Sequence, residues 1–288
     1  MKDIMNILRI AWKTALVLLL LAICCVVVRT PPMTYAENHA QEPNSILKNV
    51  LKQGTLEIGV SLFTPWTLRD AKGELVGFDI DVAKQLAKDL GVQPKFHVLD
   101  WEDILPALLH RKIDIIIAGM VITPARALKV NFSQPYVESG IGLATNIELT
   151  RSFSHIKDLN RSQVTLAAVT GTVADELARR IFPKANVQTF TTSEQAKNAV
   201  TKGTVHGYIE HEPLPTFLTI DYPGKVDQPL SKPLLTTKAG FAINKGDADF
   251  INFLNAWITA READTWLASA HKYWFQSLEW RTELGVKE

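Results

Sequence analysis

The chain has 288 residues with 31 basic and 30 acidic side chains, a net charge of +1. That balance argues against a nucleic-acid partner, which shows as a basic stripe, and the length is enough to bury a substantial core in one or two domains. Both cysteines, Cys24 and Cys25, lie in one apolar run near the N-terminus, so a form without that run has neither thiol nor disulfide.

Lys2, Arg9 and Lys13 precede the apolar run from Ala15 to Val28, and Thr34-Tyr35-Ala36 offers a small-residue cleavage site. This pattern predicts a secretory signal peptide over residues 1–36 and a periplasmic location, with an uncleaved membrane anchor as the alternative. Leu21-Ala22-Ile23-Cys24 approaches a lipoprotein cleavage box, but Ile23 is too bulky for it. Residues 37–45 are polar and proline-containing and read as a disordered lead-in.

Thr55 to Val60 reads as the first strand, followed by a loop, Phe63-Thr64-Pro65-Trp66, and a turn at Asp70-Ala71-Lys72-Gly73. Apolar residues recur at helical spacing from Asp79 to Leu90, with Asp79 as a candidate cap and Gly91 as the stop. Lys95 to Leu99 is a strand, and Trp101 to Arg111 a helix that must accommodate Pro106 near its start or at a kink. Ile113, Ile115, Ile116 and Ile117 predict a strand buried on both faces, closed by the small Ala118 and Gly119. Thr123-Pro124 then supplies an N-cap and a proline at the first helical position. Arg126 sits in the first turn, where the helix dipole favours anions, so it is either paired with a neighbouring acid or held for an external anion.

The β-α-β-α-β alternation repeats in a second block: strand Val164 to Val169, helix Val173 to Ile181, strand Val187 to Phe190, helix Ser193 to Lys202, strand His206 to Glu210. This predicts parallel sheets with helices on both faces. Gly140 to Ala144 and Ala239 to Ile243 are extended, glycine-bearing segments at the block edges, and suggest two chain crossings. The amphipathic stretch from Asp247 to Phe275 is predicted to be helical and to pack back on the first lobe. No H-x-x-x-H or H-E-x-x-H spacing occurs, so no metal and no cofactor are expected.

Gly77-Phe78-Asp79-Ile80-Asp81, Ala118-Gly119-Met120, Ile122-Thr123-Pro124-x-Arg126 and Phe132-Ser133-x-Pro135-Tyr136 follow one another in order. Gly171-Thr172-x-Ala174-Asp175-Glu176 and Phe241-Ala242-Ile243-Asn244-Lys245-Gly246-Asp247 continue the series. The ordered set resembles the amino-acid-binding class of exported solute-binding proteins (extracellular solute-binding protein family 3) that serve ABC importers. The resemblance implies the two-lobed type II periplasmic binding protein fold, in which each lobe is a mostly parallel sheet flanked by helices and two crossover strands form the hinge. On that basis residues 46–142 and 239–288 form lobe 1, and residues 143–238 form lobe 2.

It further implies that Arg126 grips a ligand carboxylate, Thr172 meets the same carboxylate across the cleft, Trp66 covers the ligand, and Gly119 gives a backbone contact. Phe63, Val121, Val173 and His211 complete the candidate ligand-binding set. Two positions depart from the family pattern. His211 in Glu210-His211-Glu212-Pro213 stands where the family has an acid, and Val121 where it often has a hydroxyl. Either a neighbouring glutamate takes over there, or the ligand lacks a free α-ammonium, and the expectation leans to the second.

The implied function is an exported, monomeric receptor that delivers a small carboxylate-bearing solute to an ABC permease in the inner membrane, without catalysis. The alternatives are a cyclohexadienyl-dehydratase-like enzyme on the same fold, or a solute-sensing module for a membrane partner.

Overall fold

A computed structural model describes residues 45–285. The predicted leader over residues 1–36 and the lead-in up to residue 44 lie outside the described residues. Ser45, the last lead-in residue, caps the first helix, α1 (Ile46–Gln53): its Oγ accepts the Lys48 N–H at 3.2 Å and donates to Asp247 Oδ2 at 3.0 Å. No helix among the described residues is long and apolar enough to cross a membrane.

The chain then runs β1 (Thr55–Val60), β2 (Leu68–Arg69), β3 (Leu75–Val76), α2 (Phe78–Leu90), β4 (Gln93–Val98), α3 (Trp101–Leu109) and β5 (Ile115–Ile116). A short α4 (Pro124–Ala127) leads into the long β6 (Asn131–Asn146), followed by α5 (Ile147–Thr150). The second block comprises β7 (Thr165–Val169), α6 (Val173–Ile181), β8 (Asn186–Phe190), α7 (Ser193–Thr201), β9 (Gly207–His211), α8 (Leu214–Asp221) and β10 (Val226–Asp227). The long β11 (Leu235–Ile243) returns to the first half, where α9 (Ala248–Ala263), α10 (Trp266–His271) and α11 (Glu279–Glu283) close the fold.

One sheet carries the order β4-β1-β5-β11-β6-β9-β7-β8, with β10 beside β6. β1 is parallel to β4 and β5, and β7 is parallel to β8 and β9. The two segments expected to cross between lobes are β6 and β11, which pair with each other antiparallel along most of their length. They carry the sheet from one α/β half into the other.

Each half buries its own apolar side chains. Ile58, Phe78, Leu86, Phe241, Phe250 and Trp257 share the first core, Trp274 of the terminal stretch packs into it as predicted, and Trp280, beyond that stretch, joins it too. Ile141, Leu166, Leu177, Phe182 and Ile209 form a core in the second half. The isoleucine strand is indeed covered on both faces. Ile115 and Ile117 face the first core, while Ile113 and Ile116 pack with Ile104 and Leu108 under α3.

One expectation needs correction. Asp79 does not cap α2. Gly77 stands at the cap with φ 130°, and Asp79 lies inside the first turn with its side chain fully buried. Pro106 sits at the sixth of nine positions in α3, past the helix start. The terminal stretch is helical as expected, in separate pieces: Asp264 caps α9 and Thr265 turns left-handed (φ 64°) before α10 begins. Helices α1 and α8, each only eight residues long, were not anticipated.

Candidate ligand cleft

Two sets of three parallel strands, β1, β4 and β5 in one half and β7, β8 and β9 in the other, end at one place, and the segments leaving them enclose a cavity of about 160 Å³. Open α/β sheets hold ligands outside the carboxyl ends of their strands. The first half contributes Ser61, Leu62, Phe63 and Trp66 after β1, Asp100 and Trp101 after β4, and Ala118 and Gly119 after β5. Thr172, Thr192, Ser193, Glu210 and His211 come from the second half. The volume is below the roughly 300–1,000 Å³ of sites that take drug-sized molecules.

Of the predicted contacts, Phe63, Trp66, Gly119, Thr172 and His211 lie in this wall. Phe63 meets His211 edge-on across the cleft, with centroids 6.0 Å apart, and stacks against Trp66 at 6.5 Å. Trp66 does two jobs. It faces the cavity, but its ring is also packed edge-on against Phe78 at 5.8 Å and Phe275 at 4.7 Å in the core.

Gly119 has φ +57°, and a Cβ there would lie 2.9 Å from Trp66 Cε3. The glycine thus allows both the left-handed backbone and the close approach of the indole. Its N–H is turned inward, donating to Tyr136 Oη at 3.0 Å, and that hydroxyl donates to Asp79 Oδ1 at 2.7 Å. Asp79 also holds the loop from the other side, its own N–H donating to the Trp66 carbonyl at 2.9 Å. Burial raises the Asp79 carboxyl to a pKa of about 8, against the lowering effect of the Tyr136 and Gly119 hydrogen bonds.

Arg126 stands at the lip between the halves, outside the cavity wall proper. Thr123 caps α4 by accepting the Arg126 N–H at 3.2 Å, which fixes where the side chain leaves the backbone. The guanidinium donates from Nη1 to the Val121 carbonyl at 2.9 Å and from Nη2 to the Gly171 carbonyl of the opposite half at 3.5 Å. It lies 5.3 Å over the Trp101 ring, whose Nε1–H donates to the same Gly171 carbonyl at 3.2 Å. Both hydrogen-bond partners are backbone carbonyls. Burial draws the guanidinium pKa down, and the charge of Glu176 opposes that through space.

Thr172 is the N-cap of α6. Its hydroxyl accepts the Asp175 N–H at 3.3 Å and donates to the Val169 carbonyl at 2.8 Å. The first N–H groups of this helix have no intrahelical acceptor and favour an anion. Val173 opens the helix, half-buried against the second core, and does not reach the cavity. Val121 is also absent from the wall: it is buried, bridged to Ala239, and its carbonyl serves Arg126.

At the end of β9, Glu210 and His211 are both buried. Glu210 Oε1 accepts the His211 N–H at 2.9 Å and lies 3.2 Å from His211 Nδ1, while Oε2 accepts the Ser193 hydroxyl at 3.1 Å. Among the described residues His211 Nε2 is buried without a hydrogen-bond partner. Glu212 turns away from the cleft, held by Thr216 and Gln228 at 2.8 and 2.9 Å. Trp101 and Ser193 were read from sequence only as helix starts. The strand-end rule that singled out Gly119 would have found both. Among the described residues no group of three or more His, Cys, Asp or Glu could hold a metal ion.

The model of the bacterial extracellular solute-binding proteins, family 3, matches residues 56–277. This chain belongs to that family. It is 25% identical to the L-cystine-binding protein of Escherichia coli (strain K12) over 234 residues, 80% of this chain and 86% of that one. Among solved structures, a binding component of an ABC transporter from Wolinella succinogenes, complexed with lysine, has 32% identity and a TM-score of 0.75, covering 79% of this chain and 98% of that one. An ancestral amino-acid-binding protein described as a precursor of cyclohexadienyl dehydratase has 33% identity and a TM-score of 0.73, covering 80% and 99%. The fold is the type II periplasmic binding protein fold, and its two halves are the lobes of that fold.

Proposed function

We propose that this family member is an extracytoplasmic receptor, exported by its N-terminal leader, that captures a small carboxylate-bearing solute between its lobes. The solute is an amino acid or a related organic acid, and the monomeric receptor delivers it to an ABC permease. The observation that carries this reading is Arg126. It spans the gap between the lobes, beside the start of α6, and its hydrogen-bond partners among the described residues are backbone carbonyls. A planar guanidinium and the helix N–H groups together favour a carboxylate from both sides. Arg126, Thr172, Trp66, Gly119, Phe63 and His211 are the proposed contacts, with Val121 and Val173 supporting Arg126 and α6 from behind.

The test is calorimetry with the solute identified by mass spectrometry of material released from the purified protein. Arg126→Ala should weaken binding by roughly 2–5 kcal/mol, the range for truncating one partner of a buried charge pair. Unchanged affinity would refute the assignment.

The dehydratase reading finds less support. Glu210 lines the cavity, but three donors already engage its two oxygens. The similar ancestral protein is itself described as amino-acid-binding.

A further inference from the structure

The family match ends at residue 277, and the chain goes on to form α11. This segment is fastened to lobe 1 at several points. Trp280 is fully buried in the first core, 5.5 Å from Trp274, whose Nε1–H donates to Asp81 Oδ2 at 2.7 Å. The Tyr273 hydroxyl donates to Glu283 Oε2 at 2.6 Å, and the Ala71 N–H donates to the Leu284 carbonyl at 3.1 Å.

From this base Arg281 reaches helix α8 of lobe 2. Its Nη1 lies 2.6 Å from Asp221 Oδ1 and its Nη2 lies 3.3 Å from Oδ2, a two-pronged pair whose side chains are only 16% and 13% exposed. The guanidinium also lies 4.9 Å over the Phe217 ring. Helix α8 straddles the two lobes. Leu218 packs with Tyr208 and Val226 in lobe 2, while Phe217 joins the first core and meets Trp280 at 6.2 Å.

The pair borders a second cavity of about 530 Å³, which shares Leu62, Phe63, Thr192 and Ser193 with the ligand cavity. Lobe movement that reshapes one cavity therefore moves the walls of the other. β6 and β11 carry the chain between the lobes, and this pair is a charged side-chain contact across them on a different part of the surface.

We propose that Arg281 and Asp221 form an interlobe latch that sets ligand affinity from outside the ligand cavity. The inference rests on the proposed function only in taking the lobes to close on a solute. A contact made in the closed arrangement and broken in the open one raises the closed fraction, and apparent affinity rises in proportion. A bidentate guanidinium–carboxylate pair has the directionality for this.

The test compares the wild type with Arg281→Met, Asp221→Leu and the charge swap Asp221→Arg with Arg281→Asp. Small-angle X-ray scattering without added solute reads lobe separation. Stopped-flow fluorescence reads release of whichever of L-lysine, L-glutamine, L-arginine or L-cystine binds. Each single variant should show a larger radius of gyration and release about tenfold faster, the equivalent of about 1.4 kcal/mol, with the swap recovering part of both.

Superimposable scattering curves for wild type and single variants would overturn the latch. A lower melting temperature at unchanged lobe separation would do the same, leaving a pair that serves only folding. Scattering needs no ligand, so a failure of Arg126-dependent binding would refute the proposed function and leave the latch standing.

Discussion

Asp79 offers the most direct check on how the cleft is held. Its carboxyl is completely buried, one oxygen receives the Tyr136 hydroxyl at 2.7 Å, and the other has no partner among the described residues. Burial moves its pKa from the ordinary 3.8 up to about 8. Between those two values the folded protein keeps a proton that the unfolded chain has released. Stability is therefore full below the unfolded pKa, falls as pH rises through the window, and levels off above the folded pKa. One unit is worth about 1.4 kcal/mol, so two units, from pH 5 to pH 7, correspond to about 2–3 kcal/mol.

Asp79→Asn keeps the acceptor for Tyr136 and removes the titration. Urea denaturation of both proteins at pH 5, 6, 7 and 8 isolates this one group, since other titrations cancel in the difference. The variant should gain on the wild type by about 2–3 kcal/mol between pH 5 and 7 and change little above 8. A stability gap between the two proteins that stays constant with pH would refute the reasoning.

Two further outcomes follow from the cavity wall. Gly119→Ala meets both a left-handed φ of +57° and the Trp66 ring at 2.9 Å, so it should cost about 1–3 kcal/mol in denaturant and weaken solute binding in calorimetry. Trp101→Phe keeps a ring under Arg126 and deletes the Nε1–H to Gly171. It should lower affinity by about 0.5–1.5 kcal/mol at unchanged melting temperature, and no loss would mean the bond across the lobes plays no part in closure.

The alternating blocks were legible because each strand or helix advertises its own period. The isoleucine run, the Gly91 stop and the Thr123-Pro124 start all depend on residues within one turn of each other, and all were found as predicted. Asp79 was misread for the opposite reason. A polar residue near a helix start looks like a cap, and only the tertiary fold reveals that Tyr136, 57 positions away, turns it inward. Trp101 was legible as a residue after a strand end, but its contacts with Arg126 and Gly171 come from two distant segments and needed the fold. Trp66 was legible as an aromatic beside the cleft, but its burial between Phe78 and Phe275 depends on the C-terminal stretch folding back.

The two ends of the cleft are built on different chemistry, and this bears on what the proposed solute must carry. At the Arg126 end a guanidinium and a helix start offer donors, and the guanidinium has carbonyls as its present hydrogen-bond partners. A carboxylate accepts more strongly than a carbonyl, so it has something to gain there. At the His211 end the one buried acid, Glu210, is engaged by the His211 main chain and ring and by Ser193. An ammonium arriving at that end would have to compete with these donors for the carboxylate, and Val121 presents no side-chain acceptor to help. On the proposed function, selectivity for the acid end of the solute would rest on charge. At the other end it would rest on an imidazole held by a carboxylate and on the shape set by Phe63, an arrangement compatible with solutes whose nitrogen is uncharged or absent.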